Sequence, residues 1–232
     1  MNLTASAVGH LRLTEQEIND FETIYQAHCA VRWHGPWHRP KGGVVEVIRV
    51  PRIDGALLFR PQPYVDERGF FSRTFDADIT RRAGIDPAGF AQDSLSRSAR
   101  GVIRGMHLRS GQGESKLVRC SYGAVFDVIV DLRPGSPTYG DWESFELRDD
   151  EQVTLYVPAG CAHGFQALTD PADVSYRIDR PHDPSEDLSI AFDDPELAIP
   201  WPLPVSIMSK RDKDAPSFAK ARAELARRLA GR

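Results

Sequence analysis

The sequence predicts a mainly β fold, a sandwich or jelly roll, for the central part of its 232 residues. Several short apolar segments there have strand character, namely GALLF, GFFSRTF, KLVRC, AVFDVIVDL, ESFEL and VTLYVP. Turn stretches such as RPGSPTYGD and PAGCAHG lie between them, and many short strands with regular turns favour an all-β architecture over an α/β sheet. The longest segment alternates between two faces, which is the period of a strand. These faces are Phe126, Val128, Val130 and Leu132 on one side, and Val125, Asp127, Ile129 and Asp131 on the other.

The chain divides into three zones, at 1–50, 51–200 and 201–232. In the first, Thr14 and Glu17 form a capping-box pattern ahead of apolar residues at helical spacing, which predicts a helical N-terminal extension. The second is the predicted jelly-roll domain, with one short helix at DADITRRAGI. The third continues into FAKARAELARRLAGR, whose alanine, leucine and arginine content predicts a C-terminal helix that completes the domain.

Composition limits the function classes. Apolar residues make up 41% of the chain and the formal net charge is -4, so no field attracts nucleic acid or a membrane surface. The cysteines Cys29, Cys120 and Cys161 are odd in number and form no CxxC spacing, which favours a reducing cytoplasm. No apolar run approaches the roughly 18 residues of a membrane-spanning helix, and the N-terminus does not resemble a signal peptide.

The stretch VPAGCAHGF contains the P-x-G-x-x-H turn of cupin jelly rolls, which projects His163 into the mouth of the barrel. His107 would belong to the earlier cupin motif, in which metal-binding members carry a second histidine two residues later. Here that position is Arg109, and a permanently charged guanidinium cannot bind a metal ion. Only His107, Glu114 and His163 remain as possible metal ligands. This is a weak set, so we expect no bound metal ion.

A second thin set of metal-binding residue types lies in the first zone. It consists of His28, Cys29, His34 and His38. Their spacing matches no standard zinc finger, so these histidines are expected to lie on a turn without binding a metal ion.

From about Tyr64 to Phe218 the chain resembles the dTDP-4-dehydrorhamnose 3,5-epimerase family. Six blocks carry the resemblance in the family's order: DERGFF, FAQDSLSRSARGVIRGMH, KLVRCSYGAVFDVIVDLRPGSPTYGDW, VPAGCAHGFQAL, DDPELAIPWP and MSKRDKDAP. A single block could match by chance, whereas six in order cannot easily do so. The resemblance implies a cupin-type double-stranded β-helix, or jelly roll, and a homodimer.

The resemblance also implies a reaction. The substrate would be a nucleotide-linked, expected to be dTDP-linked, 4-keto-6-deoxyhexose, whose carbons 3 and 5 flank the ketone. Removing a proton there gives an enolate, and returning one to the opposite face inverts the centre. This chemistry requires a base, an acid on the other face and positive charge near the enolate, but no cofactor or metal.

Family roles can be carried over residue by residue. His107 matches the general base, Asp212 in SKRD the carboxylate that pairs with it, and Tyr176 in VSYRI the acid on the opposite face. Lys116 and Arg104 match basic residues near the keto sugar and the diphosphate. The remaining substrate-side positions are Arg68, Phe71, Gln92, Ser94, His163 and His182.

The chain departs from the family pattern in four places, at five positions. Arg73 stands where a glutamate is usual, and Ser94 replaces an asparagine. Leu108 and Arg109 follow the histidine where Tyr-Gln is common, and His182 replaces a tyrosine that stacks on the base. The base and acid are retained while their surroundings differ, which predicts a change in the sugar, the nucleotide base or the epimerised carbon.

Several alternatives stay open from the residues alone. Asp127 could orient His107, which would leave Asp212 as a turn cap before Pro216. Tyr176 could be a strand aromatic and Lys116 a surface lysine at a strand entry. At the level of function, the rivals are a monoepimerase, a ketoisomerase of the same fold, or a catalytically silent cupin that binds a sugar nucleotide.

Overall fold

A computed structural model describes residues 44–229 of the chain as two antiparallel sheets packed face to face. One sheet has six strands in the order β1-β2-β10-β7-β12-β5, and the other has five in the order β13-β6-β11-β8-β9. Strands β3 and β4 form a separate two-stranded hairpin. The strands are β1 Val45–Arg49, β2 Leu57–Pro61, β3 Tyr64–Asp66, β4 Gly69–Phe71, β5 Gln92–Ser98, β6 Ile103–Arg109, β7 Lys116–Tyr122, β8 Ala124–Asp131, β9 Trp142–Arg148, β10 Thr154–Val157, β11 Cys161–Ala167, β12 Ala172–Ile178 and β13 Asp187–Ser189.

This arrangement confirms the predicted mainly β jelly roll. The main core lies between the sheets, and the alternation predicted for AVFDVIVDL decides what faces it. Val125 and Ile129 of β8 point into the space between the sheets, while Phe126, Val128 and Val130 point outward into a second apolar layer. Both faces of β8 are therefore buried, and all eight of its residues are buried.

The second layer is covered by the C-terminal helix α3, Phe218–Leu229. Phe218, Ala221, Leu225 and Leu229 recur at spacings that place them on one face, and all four are buried against the outer side of the five-stranded sheet. The predicted C-terminal helix is confirmed. The short helix α2, Lys210–Lys213, precedes it in the same segment.

A third helix, α1 Ala77–Arg82, covers the outer face of the six-stranded sheet. Asp76 caps it by accepting hydrogen bonds of 3.0 Å from the backbone N–H groups of Asp78 and Ile79. The helix predicted at DADITRRAGI is thus present. Among residues 44–229, no helix has the length and apolar character needed to cross a bilayer.

The six-stranded sheet begins before the predicted boundary at residue 51, because β1 pairs with β2 from Val45 to Arg49. The predicted N-terminal helix and the His28, Cys29, His34 and His38 set lie outside the described residues.

Candidate active site

Two histidines lie side by side on neighbouring strands of the five-stranded sheet. His107 of β6 and His163 of β11 are register partners in the five-stranded sheet. The His107 side chain is 35% exposed and that of His163 is 5% exposed, so His107 lies nearer the opening.

Glycines allow β6 and β11 to approach closely beside these histidines. The pairing shifts between His163 and Phe165, and a Cβ on Gly105 would lie 2.6 Å from the Gly164 Cα. A Cβ on Gly164 would in turn meet the Met106 Sδ at 2.6 Å. Only hydrogen fits at both positions, which accounts for the glycine in RGMH and the one in AHGF.

His107 is bound by a carboxylate from the C-terminal segment. Its Nε2 lies 2.7 Å from Asp212 Oδ1, and Asp212 is buried. Burial opposes ionisation of Asp212, but the hydrogen bond and charge of His107, with bonds from Gly105 and Ser209, outweigh it and lower the pKa of this carboxyl. An ionised Asp212 accepts a hydrogen bond from Nε2, which leaves Nδ1 as the nitrogen able to take up a proton.

The turn before α2 delivers Asp212 to this position. Ser209 is the helix cap, and its Oγ accepts a 3.1 Å hydrogen bond from the backbone N–H of Asp212. The capping role left open for Asp212 therefore belongs to Ser209, and the Asp212 carboxylate is directed at His107.

The second histidine has its own carboxylate. His163 Nε2 lies 2.9 Å from Asp127 Oδ2, and the Asp127 side chain is completely buried. Burial raises the pKa of Asp127, against the opposing effects of His163 and Lys116. Asp127 is thus the partner of His163 in the structure, not of His107.

Tyr176 reaches the same cavity from the six-stranded sheet. Its ring meets that of His163 edge to face, with centroids 6.2 Å apart, and its hydroxyl lies 3.4 Å from Ser96 Oγ. Burial raises the pKa of the Tyr176 hydroxyl, with a smaller contribution from the charge of Asp127. A tyrosine in this setting stays protonated at neutral pH and can donate a proton.

Lys116 opens β7 on the inner face and is buried, which places it inside the barrel rather than on the surface. Its Nζ lies 3.0 Å from Glu114 Oε1, and Arg109 Nε lies 2.9 Å from Glu114 Oε2. The sequence indicates Glu114 only as a possible metal ligand. In the structure it bridges two cations.

Other predicted residues of β5 and β6 line the same side. Arg104 donates from Nε to Ser98 Oγ at 3.0 Å and contributes to the electrostatic environment of Tyr176. Ser94 is the register partner of Tyr176, and Gln92 donates to Ser94 Oγ at 3.0 Å. Gln92 and Ser94 therefore share the face of the six-stranded sheet that carries Tyr176, while Arg104 approaches from the five-stranded sheet.

Three substrate-side predictions and one departure lie elsewhere. Arg68 is on the β3–β4 hairpin, 86% exposed, and binds Asp66; Phe71 on the same hairpin is 67% exposed. His182 is half-exposed and lies 3.5 Å from Asp187. Arg73 binds Asp76 at the start of α1. A single chain does not bring these side chains into the cavity around His107.

Ser96 and Ser209 were missed by sequence reasoning. Both touch a proposed catalytic side chain, Tyr176 and Asp212 respectively. A serine in a strand or at a helix start carries no signal of its partner, although the S-x-x-D spacing ahead of Asp212 is typical of a cap. Within residues 44–229, no group of three His, Cys, Asp or Glu side chains is placed to hold a metal ion.

The arrangement suits exchange of a proton at carbon. A histidine bound to a carboxylate lies on one sheet, a protonated tyrosine on the facing sheet, and a buried lysine close enough to Asp127 to affect its pKa. The fold and this arrangement define the class of cupin-type isomerases, in which a base and an acid act on opposite faces of one centre.

Within that class, the chain belongs to the dTDP-4-dehydrorhamnose 3,5-epimerase family, whose sequence profile matches residues 51–220. A dTDP-4-dehydrorhamnose 3,5-epimerase from Methanothermobacter thermautotrophicus is 41% identical over 165 residues, covering 70% of this chain and 89% of the relative. A dTDP-4-dehydrorhamnose 3-epimerase from Streptomyces niveus is 42% identical over 171 residues, covering 73% of this chain and 83% of the relative.

A solved structure of similar fold is the 3,5-epimerase from Legionella pneumophila in complex with dTDP-4-keto-L-rhamnose. It is 40% identical to this chain, with a TM-score of 0.74, and the match covers 78% of this chain and 97% of that one.

Proposed function

We propose that this protein is an epimerase of a dTDP-linked 4-keto-6-deoxyhexose, with a place in deoxysugar biosynthesis. The observation that carries the proposal is the His107–Asp212 pair, 2.7 Å apart, beside His163, whose ring Tyr176 meets from the facing sheet. The names of the relatives and the sugar nucleotide of the Legionella complex support the substrate class.

The reaction follows from these positions. His107 Nδ1 takes the proton from a carbon next to the ketone, and the C–H electron pair moves into the carbon–carbon bond as the C4 oxygen gains negative charge. The Asp212 carboxylate stabilises the imidazolium that forms. Tyr176 then gives its proton to the other face of the carbon, the enolate collapses to the ketone, and the configuration is inverted. We assign Lys116 to the developing oxyanion.

Deuterium incorporation tests the proposal. dTDP-4-keto-L-rhamnose incubated with the protein in heavy water should gain deuterium at each carbon that is epimerised, as followed by proton NMR. His107→Ala should slow this exchange by about 100-fold to 10,000-fold, the usual effect of removing a general base. Binding of dTDP-sugar without any exchange in the wild type would favour the catalytically silent cupin instead.

The same spectra decide between the narrower alternatives. Deuterium at carbons 3 and 5 indicates a 3,5-epimerase, and deuterium at one carbon indicates a monoepimerase, as the name of the Streptomyces niveus relative specifies for carbon 3. A ketoisomerase would instead move the ketone to a new carbon. The four departures from the family pattern make the monoepimerase a specific rival.

We propose further that the protein acts as a homodimer. The β3–β4 hairpin pairs with neither main sheet and exposes Tyr64, Val65, Phe70 and Phe71 to solvent. An isolated two-stranded hairpin is marginally stable in water, and such an apolar surface favours burial against a partner. A second copy would also give Arg68, on this hairpin, a site to contact.

Sedimentation velocity at micromolar concentration should give a dimer for the wild type, and Val65→Asp with Phe70→Asp should shift it to a monomer. A monomeric wild type would refute the dimer.

The odd cysteine count without a CxxC spacing supports a cytoplasmic location.

A further inference from the structure

Lys116 is one of three buried charged side chains that contact one another in series. Arg109 is 5% exposed, Glu114 8% and Lys116 6%. Glu114 lies 2.9 Å from Arg109 Nε through one carboxylate oxygen and 3.0 Å from Lys116 Nζ through the other. The carboxylate therefore holds the ammonium and the guanidinium at the same time.

The guanidinium is itself held from its far side. Arg109 Nη1 donates to the Pro181 carbonyl at 2.9 Å, and Asp187 lies 3.7 Å from Arg109 Nε. Asp187 has a nearer cation in Arg211, at 2.8 Å. Asp187 is thus balanced by Arg211, and Glu114 is left to the Arg109–Lys116 pair.

The charges of the three residues sum to +1. If Arg109 were neutral, Glu114 and Lys116 would form a neutral pair, and a developing enolate would meet no net positive charge. Asp127, the other carboxylate whose ionisation Lys116 affects, already has His163 at 2.9 Å. Electrostatic stabilisation of an oxyanion depends on donors and charges fixed in place, and a cation that is compensated by a nearby carboxylate contributes less to it.

We infer that Arg109 and Glu114 are positioning residues for Lys116: Glu114 fixes its ammonium, and Arg109 offsets the charge of Glu114 so that Lys116 still acts as a cation. The inference rests on the proposed epimerase function. Arg109 stands where the family commonly has a neutral glutamine, so the positive charge that offsets Glu114 comes from a position at which this chain departs from the family pattern.

The decisive experiment is a charge-compensation cycle, read as kcat and KM for deuterium exchange into dTDP-4-keto-L-rhamnose. Arg109→Gln should lower kcat at least about 10-fold, less than the about 100-fold to 1,000-fold effect of removing a direct oxyanion donor. KM should change little, because the lost interaction strengthens only as the enolate forms. Glu114→Gln should also lower kcat, because it leaves two buried cations without the carboxylate that separates them.

The double variant Arg109→Gln with Glu114→Gln should have a higher kcat than either single variant. Its net charge returns to +1, and the amide oxygen introduced by Glu114→Gln still offers Lys116 an acceptor. In a Lys116→Met background, all three changes should have little further effect on kcat. Recovery in the double variant is expected of any contacting charge pair, whereas the loss of effect in the Lys116→Met background follows only if Arg109 and Glu114 act through Lys116.

A matched control is available beside the loop that carries Glu114. Arg180 and Glu186 lie 3.2 Å apart, and Arg180 also donates to the Gly113 carbonyl at 2.8 Å. Arg180→Gln and Glu186→Gln should lower the melting temperature, with partial recovery in the double variant as for any contacting pair, but should change kcat much less than Arg109→Gln does. Melting temperatures of all variants separate loss of fold from loss of rate.

A double variant of Arg109 and Glu114 no faster than Arg109→Gln alone would overturn the inference, because restoring the net charge of +1 would then restore no rate. So would an equal loss of kcat in the Arg180→Gln and Glu186→Gln single variants. A wild type with no exchange at all would overturn the proposed function first, and the inference with it.

Discussion

Two histidine–aspartate pairs lie side by side in the barrel, and their carboxylates are in opposite electrostatic states. The pKa of Asp212 is lowered, since its bonds from His107, Gly105 and Ser209 outweigh the effect of burial. The pKa of Asp127 is raised, since burial outweighs the effects of His163 and Lys116. Only the first pair brings a carboxylate to His107, the histidine nearer the opening.

At this residue scale we expect Asp212→Asn to be much more damaging than Asp127→Asn. Asparagine keeps the shape of Asp212 but removes the charge that stabilises the His107 imidazolium, and kcat should fall about 100-fold or more. Asp127→Asn should cost less, because Asp127 contacts His163 and not the proposed base His107. Exchange rates and melting temperatures of both variants provide the measurement. A larger loss in Asp127→Asn would move the orienting role to Asp127.

Tyr176→Phe separates proton removal from proton return. The ring contact with His163 is kept and the hydroxyl is lost, so His107 should still exchange the substrate proton with solvent. Inversion should slow by about 100-fold or more, within the range of general acid catalysis. Comparing the rate of deuterium exchange with the rate of inversion in one NMR time course tests this. Inversion at the wild-type rate would reduce Tyr176 to a packing residue.

At the scale of elements, the close pairing of β6 with β11 positions both histidines. Gly105 has a φ of 148°, in the region that favours glycine, and its missing Cβ leaves room for the Gly164 Cα. His107 follows two residues later, so any displacement of the backbone here moves the base relative to Asp212.

Gly105→Ala should therefore destabilise the fold by more than about 3 kcal/mol, the upper range for an overpacked core. Gly135 is the matched control, because its φ is 80° but nothing lies within 4 Å of its Cβ position. Gly135→Ala should cost only the conformational preference, about 1 kcal/mol. Urea unfolding of the two variants measures the difference. Equal losses would mean that β6 and β11 can separate without penalty.

At the scale of the whole molecule, acid stability should depend on buried carboxylates outside the site. Asp131 is completely buried and accepts hydrogen bonds from Arg133 and Thr138, each 2.6 Å to Oδ2, and from Ser136. Burial opposes its ionisation, but these bonds dominate and lower its pKa. A folded pKa below the unfolded value of about 3.9 stabilises the fold above that pH, and the effect is lost as pH falls through the folded pKa.

Asp131→Asn should lower the melting temperature at pH 7, since a hydrogen bond to a charged group contributes about 1.5 to 3 kcal/mol. The difference between wild type and variant should shrink as pH falls below about 4. Calorimetry at several pH values checks this trend. A difference that stays constant down to the acid transition would show that the charge of Asp131 does not contribute to stability.

How far the sequence predicts the molecule differs between elements and contacts. Alternation in AVFDVIVDL predicts both faces of β8, and the spacing of Phe218, Ala221 and Leu225 predicts the buried face of α3. Each pattern is local, with a period of two or about 3.6 residues, so it survives in any context that buries one face. The candidate base and acid rest on motifs with equally local signatures.

The sequence by itself determined the jelly-roll class, the strand faces and the residue types that carry the chemistry. Only the tertiary structure decided which carboxylate meets which cation. Asp127 binds His163 across 36 residues of chain and Asp212 binds His107 across 105, while Glu114 joins Arg109 to Lys116. A carboxylate has the same local signature whatever its partner, and that partner is selected by the register of β6 with β11 and by the path of the C-terminal segment. Both depend on contacts far apart in the chain, which no local periodicity encodes.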